Sequence, residues 1–145
     1  MSAEERRLQA VIELLETIVA HSKRGVPVVV EGPNDVRTLR RLGIQGPVLR
    51  AKARRLGLAD FLQSVARNRE VIILTDFDKE GRALAWRLRR DLSGMRVKAN
   101  VEIWKQLKAL VRSEIVGIES LDRYLERRAA GAIAGAKPRQ RVRVP

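Results

Sequence analysis

Val71-Ile72-Ile73-Leu74-Thr75-Asp76-Phe77-Asp78-Lys79-Glu80-Gly81-Arg82 is the stretch from which the fold can be read. Its first four residues are apolar and mostly β-branched, the composition of a strand buried on both faces. The run ends at two carboxylates, Asp76 and Asp78, which share one side of the chain if it stays extended. Acids at the carboxyl end of a buried parallel strand lie where open α/β sheets receive ligands. Two anions held close raise each other's pKa unless a cation neutralises them. Mg²⁺ suits that role, because it prefers oxygen and takes one or two carboxylates plus waters and phosphates. The same aspartates are equally what a polar turn capping the next helix requires.

An earlier stretch, Pro27-Val28-Val29-Val30-Glu31-Gly32-Pro33-Asn34-Asp35, repeats the pattern: an apolar strand, an acid, then Gly and a helix-starting Pro. Glu31-Gly32 with Asp35, followed in order by Asp76-Phe77-Asp78 with Glu80-Gly81, resembles the TOPRIM domain. That module serves topoisomerases, bacterial-type primases, OLD-family nucleases and ribosomal RNA maturases. Residues 75–82 look especially like the acidic signature of type IA topoisomerases, and the resemblance covers roughly residues 26 to 103. It implies a Rossmann-like, doubly wound α/β fold with about four mainly parallel strands flanked by helices. It also implies that Asp76 and Asp78 hold Mg²⁺, with Mn²⁺ as the substitute ion. Glu31 would then act as general base or acid, or as a third ligand through water. Asp35 would support Glu31, and Glu80 would join as an outer ligand. Without the resemblance, Asp35 and Glu80 read as first-turn acids that complement a helix dipole.

Bulk composition narrows the function classes. A chain of 145 residues with 45% hydrophobic and 32% charged residues is one globular domain. Zero cysteines exclude disulfides, zinc fingers and thiol catalysis, and the single histidine, His21, makes a histidine-built centre a poor expectation. No apolar run approaches the ~20 residues of a membrane span, and the N-terminus is charged, so no membrane and a cytoplasmic location are expected. Thirty basic against 17 acidic residues give a formal charge of +13. Lys137, Arg139, Arg141 and Arg143 supply 4 of that, leaving 13 − 4 = +9 on the rest. Such a field attracts polyanions, nucleic acid first among them.

In chain order, Ser2 with Glu5 forms a capping-box pattern ahead of an amphipathic helix over residues 3–23, stopped by Gly25. This N-terminal helix, residues 1–25, is expected to pack on a core spanning 26–103. The core reads as a strand at 26–31, a helix at 33–42 closed by Gly43, and a strand at 48–50. A helix marked by Leu58, Phe61, Leu62 and Val65 follows, then the acidic strand and a helix from Lys79 to Leu92, broken at Ser93-Gly94. Val97, Ala99, Val101 and Ile103 alternate with polar residues, which predicts a fourth strand ended by Trp104. Helices at 105–112 and 119–130 form an extension over 104–130, and 131–145 reads as a flexible basic tail.

Arg37 lies on the helix after Glu31. Lys52, Arg54 and Arg55 follow the second strand, where TOPRIM relatives often carry Gly or another small residue; Ala51-Lys52 departs from that pattern. Lys79 and Arg82 open the helix after the acids. Together these six are the candidate phosphate contacts, although a charge run also describes a solvated face. Only one tyrosine is present, Tyr124, inside an amphipathic helix where a core role fits better than that of a strand-cleaving nucleophile. Without cysteine there is no primase-type zinc module. The expected activity is therefore Mg²⁺-dependent phosphodiester hydrolysis of structured RNA or DNA. The alternative is a noncatalytic RNA- or DNA-binding module, or an accessory subunit of a nucleic-acid-processing complex. A homodimer or a larger nucleoprotein complex is the assembly to test. Aromatic residues at 3% point to recognition by backbone and shape rather than base stacking.

Overall fold

The computed structural model of the chain describes residues 1–52, 61, 63, 65 and 67–134. Its order is α1 (Ala3–Lys23), β1 (Val28–Val30), α2 (Pro33–Arg41), β2 (Val48–Arg50), β3 (Glu70–Ile73), α3 (Lys79–Gly94), β4 (Lys98–Asn100) and α4 (Glu102–Val111). A single 3₁₀ turn (Ile118–Ser120) then leads into α5 (Leu121–Ala134). Phe61 and Val65 are helical and buried, as expected of the helix between β2 and β3, while Arg54, Arg55, Leu58 and Leu62 lie outside the described residues.

The four strands form one parallel sheet in the order β2-β1-β3-β4. The chain leaves β1 towards one edge and β3 towards the other, so the winding reverses between these two neighbours. Their carboxyl ends are the switch point at which such sheets receive ligands. The period of two places Val28, Val30, Ile72 and Leu74 in one core, against α1, α2, α4 and α5. Val29, Val71 and Ile73 pack into the other, against Leu84, Ala85, Leu88 and Leu92 of α3. Both faces are covered, which is why these strands read as continuous apolar runs.

α1 follows its sequence signals: Glu5 N–H donates to Ser2 Oγ (3.1 Å), and Ser2 N–H donates to Glu5 Oε1 (3.3 Å). Its apolar stripe, Leu8, Val11, Ile12, Leu15, Ile18 and Val19, is buried. His21 is peripheral, bonding the Thr17 carbonyl one turn back within the same helix at 2.9 Å.

Three sequence-based expectations need correction. The fourth strand stops at Asn100 instead of running to Ile103, and α4 begins at Glu102, whose N–H donates to Asn100 Oδ1 (3.1 Å). Trp104 is therefore a helical residue. The alternation of 97, 99, 101 and 103 overlaps the helical set Ile103, Trp104, Leu107 and Val111, all buried. A period of two and a period of 3.6 agree over so short a run. α3 continues through Gly94, and the break comes at Arg96, which adopts φ 64°. Finally, residues 131–134 belong to α5, and the rest of the expected tail lies outside the described residues.

Candidate metal and nucleic-acid site

The loop from Leu74 to Asp78 leaves β3 at the switch point, and each residue in it is fixed by a different part of the molecule. Leu74 N–H still donates to Val29 O of β1 (2.8 Å). Thr75 is fully buried; its Oγ1 donates to Gly81 O (2.7 Å) and its carbonyl accepts from Trp104 Nε1 (2.7 Å). Asp76 N–H donates to Glu31 Oε2 (2.6 Å). Phe77 N–H donates to Val116 O (2.6 Å). Asp78 caps α3, its Oδ1 accepting from Gly81 N–H (2.7 Å). The polar-turn reading of Asp78 is thus realised.

The parallel register places Glu31 between the two neighbouring strands. Val30 pairs with Arg50 on one side, and Val29 pairs with Ile73 on the other. One step further on, Glu31 reaches Lys52 across one gap and Asp76 across the other. Its Oε1 forms an ion pair with Lys52 Nζ at 2.8 Å, and Glu31 itself is buried at 6% exposure. The hydrogen bond to Glu31 raises the Lys52 pKa, reinforced by the Glu31, Glu80 and Asp76 charges.

Asp76 is the perturbed group. Burial first, then the charges of Glu31, Asp35, Asp78 and Glu119, push its carboxyl up to about 7. Asp35 is also buried, and burial raises its pKa despite the hydrogen bond it accepts from Gly32 N–H (3.0 Å). Two glycines make room for this arrangement. A Cβ at Gly81 would lie 2.0 Å from Asp76 O, and one at Gly117 would lie 2.0 Å from Asp76 Oδ1. Gly117 and Glu119 carry little sequence signal, because they reach the site when the 3₁₀ turn docks against α2. A glycine just before an isolated turn was the one available hint.

Lys52 pairs with Glu31, Glu31 holds the Asp76 amide, and Asp35 and Asp78 lie near enough for their charges to act on Asp76. The basic candidates are more dispersed. Arg37 is exposed on α2, hydrogen-bonded to Asn34, and lines a cleft with Arg41, Glu119 and Arg123. Lys79, Glu80 and Arg82 are exposed in the first turn of α3. Tyr124 is 1% exposed, its ring beneath the Arg128 guanidinium, which excludes it as a nucleophile. The chemistry around Asp76 fits a hard divalent cation: a carboxylate raised by burial and by four neighbouring acids is relieved by a positive ion. Yet among the described residues no three acidic or histidine side chains are placed to share one ion. Glu31 is committed to Lys52 and to a backbone amide. A fit therefore rests on Asp76 with Asp78 and waters, a donor number that Mg²⁺ accepts.

Comparison with known proteins agrees with this architecture. Residues 26–104 match the Toprim domain. The chain is 37% identical over 123 residues to the UPF0292 protein Mbar_A0484 of Methanosarcina barkeri, covering 84% of this chain and 85% of that one. It is 34% identical to the UPF0292 protein MJ1624 of Methanocaldococcus jannaschii, over 83% and 93% of the two chains. A solved structure of an Aquifex aeolicus protein superposes with a TM-score of 0.63 at 24% identity, covering 74% of this chain and 94% of that one, a likeness of fold.

Two outcomes follow from the crowding at Asp76. Its folded pKa lies above its unfolded value near 3.8, so the folded state holds the extra proton between those values. The associated stability is full below about pH 4 and is lost as pH rises through about 7. Asp76→Asn should therefore raise metal-free stability at pH 8 by about 1–2 kcal/mol, discounted for a half-exposed group, and give no gain near pH 4. Urea midpoints at the two pH values, measured in chelator, decide it; equal gains at both would contradict the assignment. Gly117→Ala should keep the fold but displace the Asp76 carboxylate. The wild type is expected to melt higher in Mg²⁺, and the variant should lose that rise in a thermal melt.

Proposed function

The chain belongs to the Toprim domain family, and from that premise we propose that it hydrolyses phosphodiester bonds in structured RNA or duplex DNA with the aid of a divalent metal. The observation that carries the reading is the Asp76 carboxyl, raised to about 7 by burial and four neighbouring acids at the switch point. That is an anionic crowd which a cation relieves. Asp76 and Asp78 would hold Mg²⁺ or Mn²⁺. Bound there, the ion would orient the phosphodiester and stabilise the charge that builds on its oxygens.

The protein's own groups supply the rest. Glu31 holds the Asp76 backbone through Oε2, fixing the direction in which that carboxylate points. Lys52 is exposed and, among the described residues, its ammonium pairs with Glu31 Oε1. On substrate docking its ammonium exchanges Glu31 for a phosphate oxygen, an exchange between two anions at a flexible stem. Glu31 Oε1 is then free to take a proton from attacking water. Lys79 and Arg82, exposed at the start of α3, meet the flanking phosphates. Tyr124 is buried, so hydrolysis by water is favoured over a covalent tyrosyl intermediate.

A second reading, a noncatalytic RNA- or DNA-binding module or accessory subunit, draws on the fact that Glu31 and Asp78 are already engaged within the protein. The two readings part in one experiment: purified protein with Mg²⁺ or Mn²⁺ against a panel of structured RNAs and duplex DNAs. Hydrolysis predicts cleavage that chelator stops, Asp76→Asn abolishes and Glu31→Gln slows by about 10²-fold or more. Binding that survives chelator, with no cleavage under any condition, sinks the hydrolytic reading and favours the module.

A further inference from the structure

The groove between α3 and α4 shares only Arg82 with the contacts assigned above. Arg82, Trp86, Trp104, Lys105, Lys108 and Arg112 line a cavity there of ≈ 380 Å³. Its cations are organised by the indoles. Lys105 Nζ lies 5.1 Å from the centre of the Trp86 ring, and Lys108 Nζ lies 4.9 Å from that of Trp104. Such contacts hold a charged head in place without neutralising it.

Counter-charge is scarce. Among the described residues Arg82, Lys108 and Arg112 form no ion pair, and Lys105 meets only the exposed Glu102, at 3.3 Å. The basic cleft beside α2 differs: there Arg41 is already held by Asp122 at 3.0 Å, and Glu119 adds another acid. Like charges gathered around a hollow with so little compensation repel one another, and an anion from outside relieves them. Spacing says which kind. Lys105 and Lys108 of α4 and Arg112, its C-terminal cap residue, fall at i, i+3 and i+7, one side of the helix over a rise of roughly 10 Å. That reach is more than a single phosphate group needs and suits neighbouring phosphates of one strand. The cavity also adjoins the acids. Trp104 Nε1 donates to the carbonyl of Thr75, next to Asp76, and Arg82 follows Asp78 by one helical turn.

We propose that the α3–α4 groove seats consecutive phosphates of the nucleic-acid strand that passes Asp76. The inference rests on the nucleic-acid reading above but not on hydrolysis. The indoles act as mounts for the cations, and the strand is held by its backbone.

The test is binding of a labelled RNA hairpin, and of a DNA duplex of the same sequence, by fluorescence anisotropy in chelator over a salt series. The full chain carries Lys108→Glu with Arg112→Glu, and a charge-matched control carries Lys23→Glu with Arg24→Glu at the exposed end of α1. The groove variant is expected to lose tenfold or more in affinity and about 2 from the salt slope, whereas the control keeps the wild-type slope. The protein's only two tryptophans both line the groove, so their emission should change on binding in the wild type. Equal losses in both variants, or silent tryptophan emission while the nucleic acid binds, would overturn the proposal. Hydrolysis is judged separately: wild type that binds through the groove yet never cleaves keeps this inference and removes that activity. Cleavage abolished by Asp76→Asn, with KM untouched by the groove substitutions, does the reverse.

Discussion

Glu31 accepts the Asp76 amide hydrogen across the gap between β1 and β3, at 2.6 Å, and the site is built outward from that bond. Burying a carboxylate is costly, and a pair of this kind is tolerated only where hydrogen bonds satisfy it. Glu31 meets the condition with one oxygen on a backbone amide and the other on the Lys52 ammonium. The amide benefits as well, since at the end of the ladder it would otherwise face a buried environment without an acceptor. One side chain therefore joins two strand ends and the loop after β2. It reaches all three because the register sets β1 between β2 and β3.

Asp76 inherits its position from this bond, and its discomfort too. Its backbone is held by Glu31, and its carboxylate is hemmed in by Gly117 on one side, with Asp35, Asp78 and Glu119 contributing charge. Nothing in the core requires an acid there. A carboxyl that the fold pushes up to about 7 is a local expense of stability, of the kind that gathers at working sites. The surrounding backbone shows no matching strain: Gly32 and Gly117, which flank the acids, are extended. The tension is electrostatic, so charge and not conformational change is what resolves it.

Much of this was legible along the chain. Val28–Val30 and Val71–Leu74 announce buried parallel strands, because apolar cover on both faces leaves no alternation to conceal them. Pro33 and Asp78 mark helix starts by their own backbone chemistry. Lys52 was visible as a cation near Glu31, though its pairing was not. What could not be read were contacts made by distant segments. Gly117, Val116 and Glu119 lie some forty residues beyond Asp76 and are delivered by the docking of a turn, for which local periodicity carries no trace. β4 ends earlier than its alternation implies because Val101 and Ile103 fit both periods, and Asn100 accepting from Glu102 N–H favours the helix.

Asp78 shows why capping and ligation were never exclusive. A carboxylate has two oxygens and about four lone-pair sites, and the α3 cap uses one of them, on Oδ1. The cap fixes the rotamer, so the remaining acceptor capacity keeps its orientation without a further partner. The same amide-first arrangement governs Glu31, whose Oε2 is bound to backbone while Oε1 holds an exposed, replaceable ammonium. In both acids the fold claims one oxygen for structure; Glu31 gives the other to an exchangeable ammonium, and Asp78 stands exposed. Carboxylates anchored in this way need little reordering when a cation or a phosphate arrives, which is the physical content of a preorganised site.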